Sequence, residues 1–170
     1  APDSGEAIGW DYDVVNDICS RLNCVPEYVE TAWDGMILAV QNGEFDLAAD
    51  GITILPERAE IVDFSNGYVS LLQRLIASVD APFSSVEEFI ADSSLTIGVQ
   101  PGTSNYYTAI DLVGEERLVP YDTFPIAVQA LLAGDVDAVI MDDVAGQGYV
   151  GVNAERIQLI GDALTSEESL

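Results

Sequence analysis

The chain has 170 residues, enough for one large or two small domains, and 49% hydrophobic against 21% charged residues places it among chains that fold. Thirty Asp and Glu face five cations, Arg21, Arg58, Arg74, Arg117 and Arg156, giving a net charge of -25 with no Lys or His. That argues against nucleic-acid and anionic-membrane partners, which are held by clustered Lys and Arg, and the missing His excludes a Ser-His-Asp or Cys-His nucleophile and a Cys/His zinc site.

The opening Ala1-Pro2-Asp3-Ser4-Gly5-Glu6 has neither the basic start nor the apolar run of a signal peptide, so an export signal is expected to be removed already or not included. Nothing approaches the ~20 apolar residues that span a bilayer. An acidic excess of this size suits a chain kept soluble in a salty medium. Val14, Val15, Ile18 and Leu22 have helical spacing and predict a helix over about 11–22, ended by Asn23. Cys19 and Cys24 flank that end, and two readings stay open: a disulfide, which implies an extracytoplasmic home, or two buried free thiols.

A short strand is expected at 27–30, then a second helix from about Asp34 to the Asn42-Gly43 stop, then a buried strand at 45–49. Residues 68–77 are strand-like, Asp80-Ala81-Pro82 marks a boundary, and a hinge is expected near 76–80. Ser84-Ser85-Val86-Glu87-Glu88 is an N-capped helix start. A strand at 95–99 then runs into Gln100-Pro101-Gly102-Thr103-Ser104 and a new helix. A helix at 126–133 stops at Gly134 before a strand at 136–141. Gly43-Glu44-Phe45-Asp46 and Gly134-Asp135-Val136-Asp137 share Gly-x-x-Asp after a helix, which predicts an internal repeat.

Helices alternating with strands apolar almost throughout predict an α/β fold of two Rossmann-like lobes, with parallel sheets covered on both faces. Ligands in such folds bind beyond the carboxyl ends of the strands, which nominates Asp50-Gly51-Ile52-Thr53 and Asp142-Asp143. Gly102-Thr103-Ser104 fits an anion cradle at a helix N-terminus, or merely a turn and cap. Arg58 is a candidate carboxylate clamp, or a partner of Glu57, Glu60 or Asp63. Asp142 can take an ammonium group, or be an ordinary loop acid. Trp33 can stack on a ligand, or pack in a core. Together these charges complement an amino-acid zwitterion. Asp50 and Asp143, with Gln100 and Met141 expected in neighbouring loops, favour a basic or polar side chain over an acidic one.

Four segments carry a resemblance: Gly9-Trp10-Asp11-Tyr12-Asp13-Val14; Thr31-Ala32-Trp33-Asp34-Gly35-Met36; the run from Gly43 through Asp50-Gly51-Ile52-Thr53 to Pro56-Glu57-Arg58; and Ile97-Gly98-Val99-Gln100-Pro101-Gly102-Thr103-Ser104. With Gly134-Asp135-Val136-Asp137 and Leu164-Thr165-Ser166-Glu167-Glu168, the chain closely resembles bacterial extracellular solute-binding proteins of family 3, the amino-acid-binding components of ABC importers. The resemblance implies a type II periplasmic binding fold with lobe 1 over 1–77, lobe 2 over 78–163 and a return segment from 164. It implies that a first strand and the rest of the return segment lie outside this chain. It places Arg58, Thr53 and the loop 102–104 at the ligand carboxylate, Gly51 and Asp142 at its amino group, and Trp33 against its side chain. Where Leu55 stands, the family usually has Thr or Ser capping the helix that presents Arg58. A monomer working with a membrane permease is implied, periplasmic, extracellular or lipid-anchored at the cell surface, with no cofactor, metal or enzymatic activity. Two alternatives are a cyclohexadienyl dehydratase, using Asp50 or Asp143 as its acid, and the ligand-binding domain of a sensory receptor.

Overall fold

The computed structural model describes residues 8–170. By packing, the chain divides into two compact units, Ala1–Ser65 and Asn66–Leu170. Gln73, Leu75, Ile76 and Ala77 are fully buried in the second unit's sheet.

In the first unit, α1 (Trp10–Leu22) ends at Asn23, whose φ of 58° is one of the few left-handed conformations a short polar side chain tolerates. Cys24 N–H then donates to Cys19 O at 2.9 Å. This brings the two Cα atoms to 4.6 Å, and the structure joins Cys19 to Cys24 in a disulfide. Residues 27–30 form no strand. Tyr28 instead lies across α1, its ring 4.8 Å from that of Tyr12 and its hydroxyl donating to Tyr12 O at 3.2 Å. The expected strand at 45–49 is also absent, and Leu47 is exposed. A strand satisfies its amides only beside another strand, and residues 8–65 contribute to no ladder among the described residues. The unit's other elements are α2 (Met36–Gln41) and α3 (Pro56–Ala59).

The second unit holds a two-stranded ladder, β1 (Ser70–Leu71) with β7 (Glu168–Ser169), and a five-stranded sheet. The sheet's strands are β2 (Gln73–Ser78), β3 (Ile97–Val99), β4 (Leu118–Pro120), β5 (Ala138–Asp142) and β6 (Ile157–Ile160), in the order β4-β3-β5-β2-β6. The sheet is mixed, which corrects the all-parallel expectation: β3 runs parallel to β4 and β5, while β2 is antiparallel to both β5 and β6. A strand buried on both faces is apolar throughout in either direction, so composition could not reveal the reversal.

The helices are α4 (Val86–Ala91), α5 (Ser104–Val113), α6 (Phe124–Ala133) and α7 (Asp143–Val152). One face of the sheet packs Leu75, Ala77, Ala138, Ile140, Ile97 and Val99 against Phe89 of α4 and Ala109 of α5. The other packs Ile76, Val139 and Met141 with Ala127, Val128 and Leu131 of α6. Met141 is therefore core, not the loop residue expected beside the ligand. Ser85 Oγ accepts from Glu88 N–H at 3.2 Å, and the Glu88 carboxylate returns to Ser84 N–H at 2.7 Å, capping α4. The repeat is structural at its helix stops. Gly43 and Gly134 take φ of 73° and 82°, and the next residue's N–H reaches back to Ala39 O and Ala130 O, at 2.9 Å in each case.

Arg117 is buried and donates to Leu95 O, Ile90 O and Phe89 O at 2.7, 3.0 and 2.8 Å, with its guanidinium 4.9 Å from the centre of the Phe89 ring. It ties α4 to the start of β3. Arg117→Met strips three carbonyls of their donor, and urea unfolding is expected to show a loss of about 3 kcal/mol or more; a loss under about 1 kcal/mol contradicts this role.

Candidate functional site

The nominated residues fall into two clusters, one in each unit. In the first unit, Leu55 gives α3 no side-chain cap, and Pro56 at the first helical position starts the helix. That single turn presents Arg58, which is buried and donates to Thr53 O at 2.9 Å. Its guanidinium carbon lies 5.6 Å from the centre of the Trp33 ring, within cation–π range. Trp33, nominated to stack on a ligand, thus also holds the arginine in place. Thr53 is buried, and Gly51 takes φ of 58° between it and Asp50. Surrounding protein, then the like charge of Asp11, lift the Asp50 carboxyl above its ordinary value. By surface area Asp50 is exposed, so solvent limits that effect.

In the second unit, β3 leads into Gln100, Gly102 with φ of 78°, and Thr103 at the N-cap of α5. Gln100 is buried; its carbonyl accepts from the Thr103 hydroxyl at 2.7 Å, and that oxygen accepts from Tyr106 N–H at 3.1 Å. The hydroxyl is thus engaged in capping, and Ser104 opens the helix behind it. Asp142 stands at the carboxyl end of β5 as the residue before α7, yet its side chain does not cap that helix. Its Oδ1 accepts instead from Asn105 Nδ2 at 3.0 Å. Asn105 is buried, two residues after Thr103, and was not nominated; its place one residue into a capped helix at a strand end was the available signal. Asp143 serves the frame, exchanging bonds with Leu72: its N–H donates to Leu72 O at 2.8 Å and its Oδ1 accepts Leu72 N–H at 3.3 Å.

Burial pushes the Asp142 carboxyl above its ordinary value; the Asn105 hydrogen bond opposes this, and the charges of Glu168 and Asp143 add to it. No group of acids and cysteines among the described residues has the arrangement of a metal site. A polar depression bounded by Ser78, Asp80, Glu155 and Arg156 lies at the other end of β2 and holds none of the nominated residues.

A carboxyl whose folded pKa exceeds its unfolded value makes folding costlier as pH rises through the interval between the two, and the cost is complete above it. For Asp142 that interval begins in the ordinary aspartate range and extends upward. Asp142→Asn keeps an acceptor for Asn105, so without ligand it is expected to raise Tm at pH 7, with the gain vanishing in acid below that range. A lower Tm at pH 7 contradicts the burial cost.

The model of bacterial extracellular solute-binding proteins, family 3, matches residues 1–117. An arginine-binding periplasmic protein of Mannheimia haemolytica is 27% identical over 164 residues, covering 96% of this chain and 65% of that protein. A probable histidine-binding protein of Neisseria gonorrhoeae is 25% identical, covering 89% of this chain and 57% of that protein. The chain therefore spans less than two thirds of these relatives' length. Among solved structures, the arginine-, lysine-, histidine-binding protein ArtJ of Geobacillus stearothermophilus superposes with a TM-score of 0.88 at 29% identity, covering 98% of this chain and 72% of that one. Holo ArgBP of T. maritima superposes with a TM-score of 0.90 at 26% identity, covering 100% of this chain and 74% of that one. These relatives are named as binding proteins. The chain has the fold of these amino-acid-binding proteins and belongs to the bacterial extracellular solute-binding proteins of family 3.

Proposed function

We propose that this chain binds a free α-amino acid outside the cytoplasm for delivery to the permease of an ABC importer, acting as a monomer without cofactor or catalysis. Arg58 with Thr53 and the loop 102–104 take the carboxylate, Asp142 with Gly51 the ammonium, and Trp33 stacks on the side chain. The observation that carries this reading is Asp142. A half-buried carboxylate at a strand's carboxyl end, turned from its helix and held by a neutral amide, is a receptor for a cationic group. The arginine- and histidine-binding names of the relatives support a basic or polar side chain. So does Asp50, since a second ligand carboxylate near it would meet like charge. A dehydratase would use Asp50, whose carboxyl is raised, as its acid; incubation with prephenate or arogenate is expected to give no ultraviolet-absorbing aromatic product.

Titration calorimetry against the common amino acids tests the binding reading. Arginine, lysine, histidine or glutamine is expected to bind more tightly than glutamate or aspartate. Arg58→Ala removes a charge-assisted pair worth roughly 1.5–3 kcal/mol, so affinity is expected to fall by about one to two decades. Tighter binding of glutamate, or unchanged affinity in a folded Arg58→Ala protein, contradicts these assignments.

A further inference from the structure

Gln73 opens β2 directly opposite Asp142 in the antiparallel register with β5. Residues opposite one another in such a pair project from the same face. Here that is the face of Leu75, Ala77, Ala138 and Ile140, which α5 covers. An amide thus stands where the strand's alternation calls for an apolar side chain, and only 1% of Gln73 is exposed.

All but one of its polar groups are engaged. Gln73 N–H donates to Thr165 Oγ1 at 3.2 Å, and its carbonyl accepts from Leu164 N–H at 2.8 Å. Its side-chain Nε2 donates to both oxygens of Glu168, at 2.9 and 3.1 Å. Oε1 is buried and has no donor. The opposite orientation of the amide would set its oxygen against an ionised carboxylate, so Glu168 fixes which end is left over. Asp142, Asp143 and Glu168 only accept when ionised, the Asn105 amide donates to Asp142, and the Thr165 hydroxyl, which accepts the Gln73 N–H, makes no bond to Oε1. Arg74 projects from the other face of β2 and donates to Gly161 O at 2.5 Å. An orphaned buried acceptor facing the same side as a half-buried carboxylate is complementary to a group bearing several N–H donors and a positive charge.

Resting on the amino-acid reading above, we propose that Gln73 is a second recognition residue for the ammonium group that Asp142 receives, its Oε1 accepting one ammonium hydrogen, and that Glu168 is the positioning residue that orients the Gln73 amide. The α-ammonium is then met by an amide oxygen as well as a carboxylate, which favours α-amino acids over their deaminated counterparts.

The test compares L-arginine with 5-guanidinopentanoate, the same molecule without its α-amino group, by displacement calorimetry at up to millimolar concentration. Gln73→Leu is expected to weaken L-arginine at least about tenfold while changing 5-guanidinopentanoate less than about twofold. Glu168→Gln, which keeps the shape but frees the Gln73 amide to turn, is expected to weaken L-arginine alone by a smaller factor. If Gln73→Leu does not fold, Glu168→Gln decides by the same comparison. Equal loss for both compounds, or L-arginine bound as tightly as by the unsubstituted chain, overturns the inference and leaves the amino-acid reading standing. Failure of the unsubstituted chain to bind any amino acid overturns both.

Discussion

The second unit is organised by the pairing of β2 with β5. Five consecutive residues of β2, Gln73 to Ala77, oppose Asp142 to Ala138, and the same strand pairs with β6 on its other side. That threading buries Leu75, Ile76 and Ala77 completely and sorts alternate side chains onto two separate cores. The register also decides where the polar residues go. The alternation that sends Leu75 and Ile140 into the α5 side brings Gln73 and Asp142 out at the same end, beside the capped start of α5. A one-residue slip of β2 would turn Gln73 to the other face.

Charge gives this arrangement its chemistry. Thirty acids share the chain with five arginines. Arg58, Arg74, Arg117 and Arg156 each donate to main-chain carbonyl oxygens, and Arg21 pairs with Asp17 four residues earlier on α1. The cations thus stitch loops and helix ends together, while the neutral amide of Asn105 holds Asp142. Its burial is unfavourable without a ligand and favourable with a cationic one, a conflict between stability and function expected at a binding site.

Helix boundaries were legible in the sequence because they rest on local chemistry: Asn23 closes α1, Gly43 and Gly134 close α2 and α6, Ser85 opens α4, and Thr103 opens α5. Strand partners were not, because a ladder depends on residues distant in the chain. The expected strands at 27–30 and 45–49 have no ladder among the described residues, and the reversal of β2 left no trace in composition. Of the candidate site, Arg58, Thr103 and Asp142 could be nominated because charge or capping singles them out. Asn105, Gln73 and Glu168 could not: their meaning comes from β5 ending beside α5, and from β7 lying near the start of β2.

The central claim is that Asp142 receives a cation, and the most direct measurement is the carbon-13 NMR titration of its carboxyl with and without saturating L-arginine. Without ligand, Asp142 is predicted to titrate above ordinary aspartates, as its burial requires. With arginine bound, an ammonium beside the carboxylate favours the charged form, and the titration is predicted to move well below its unliganded position. An Asp142 titration unchanged by arginine, in a protein that binds arginine, would contradict the account.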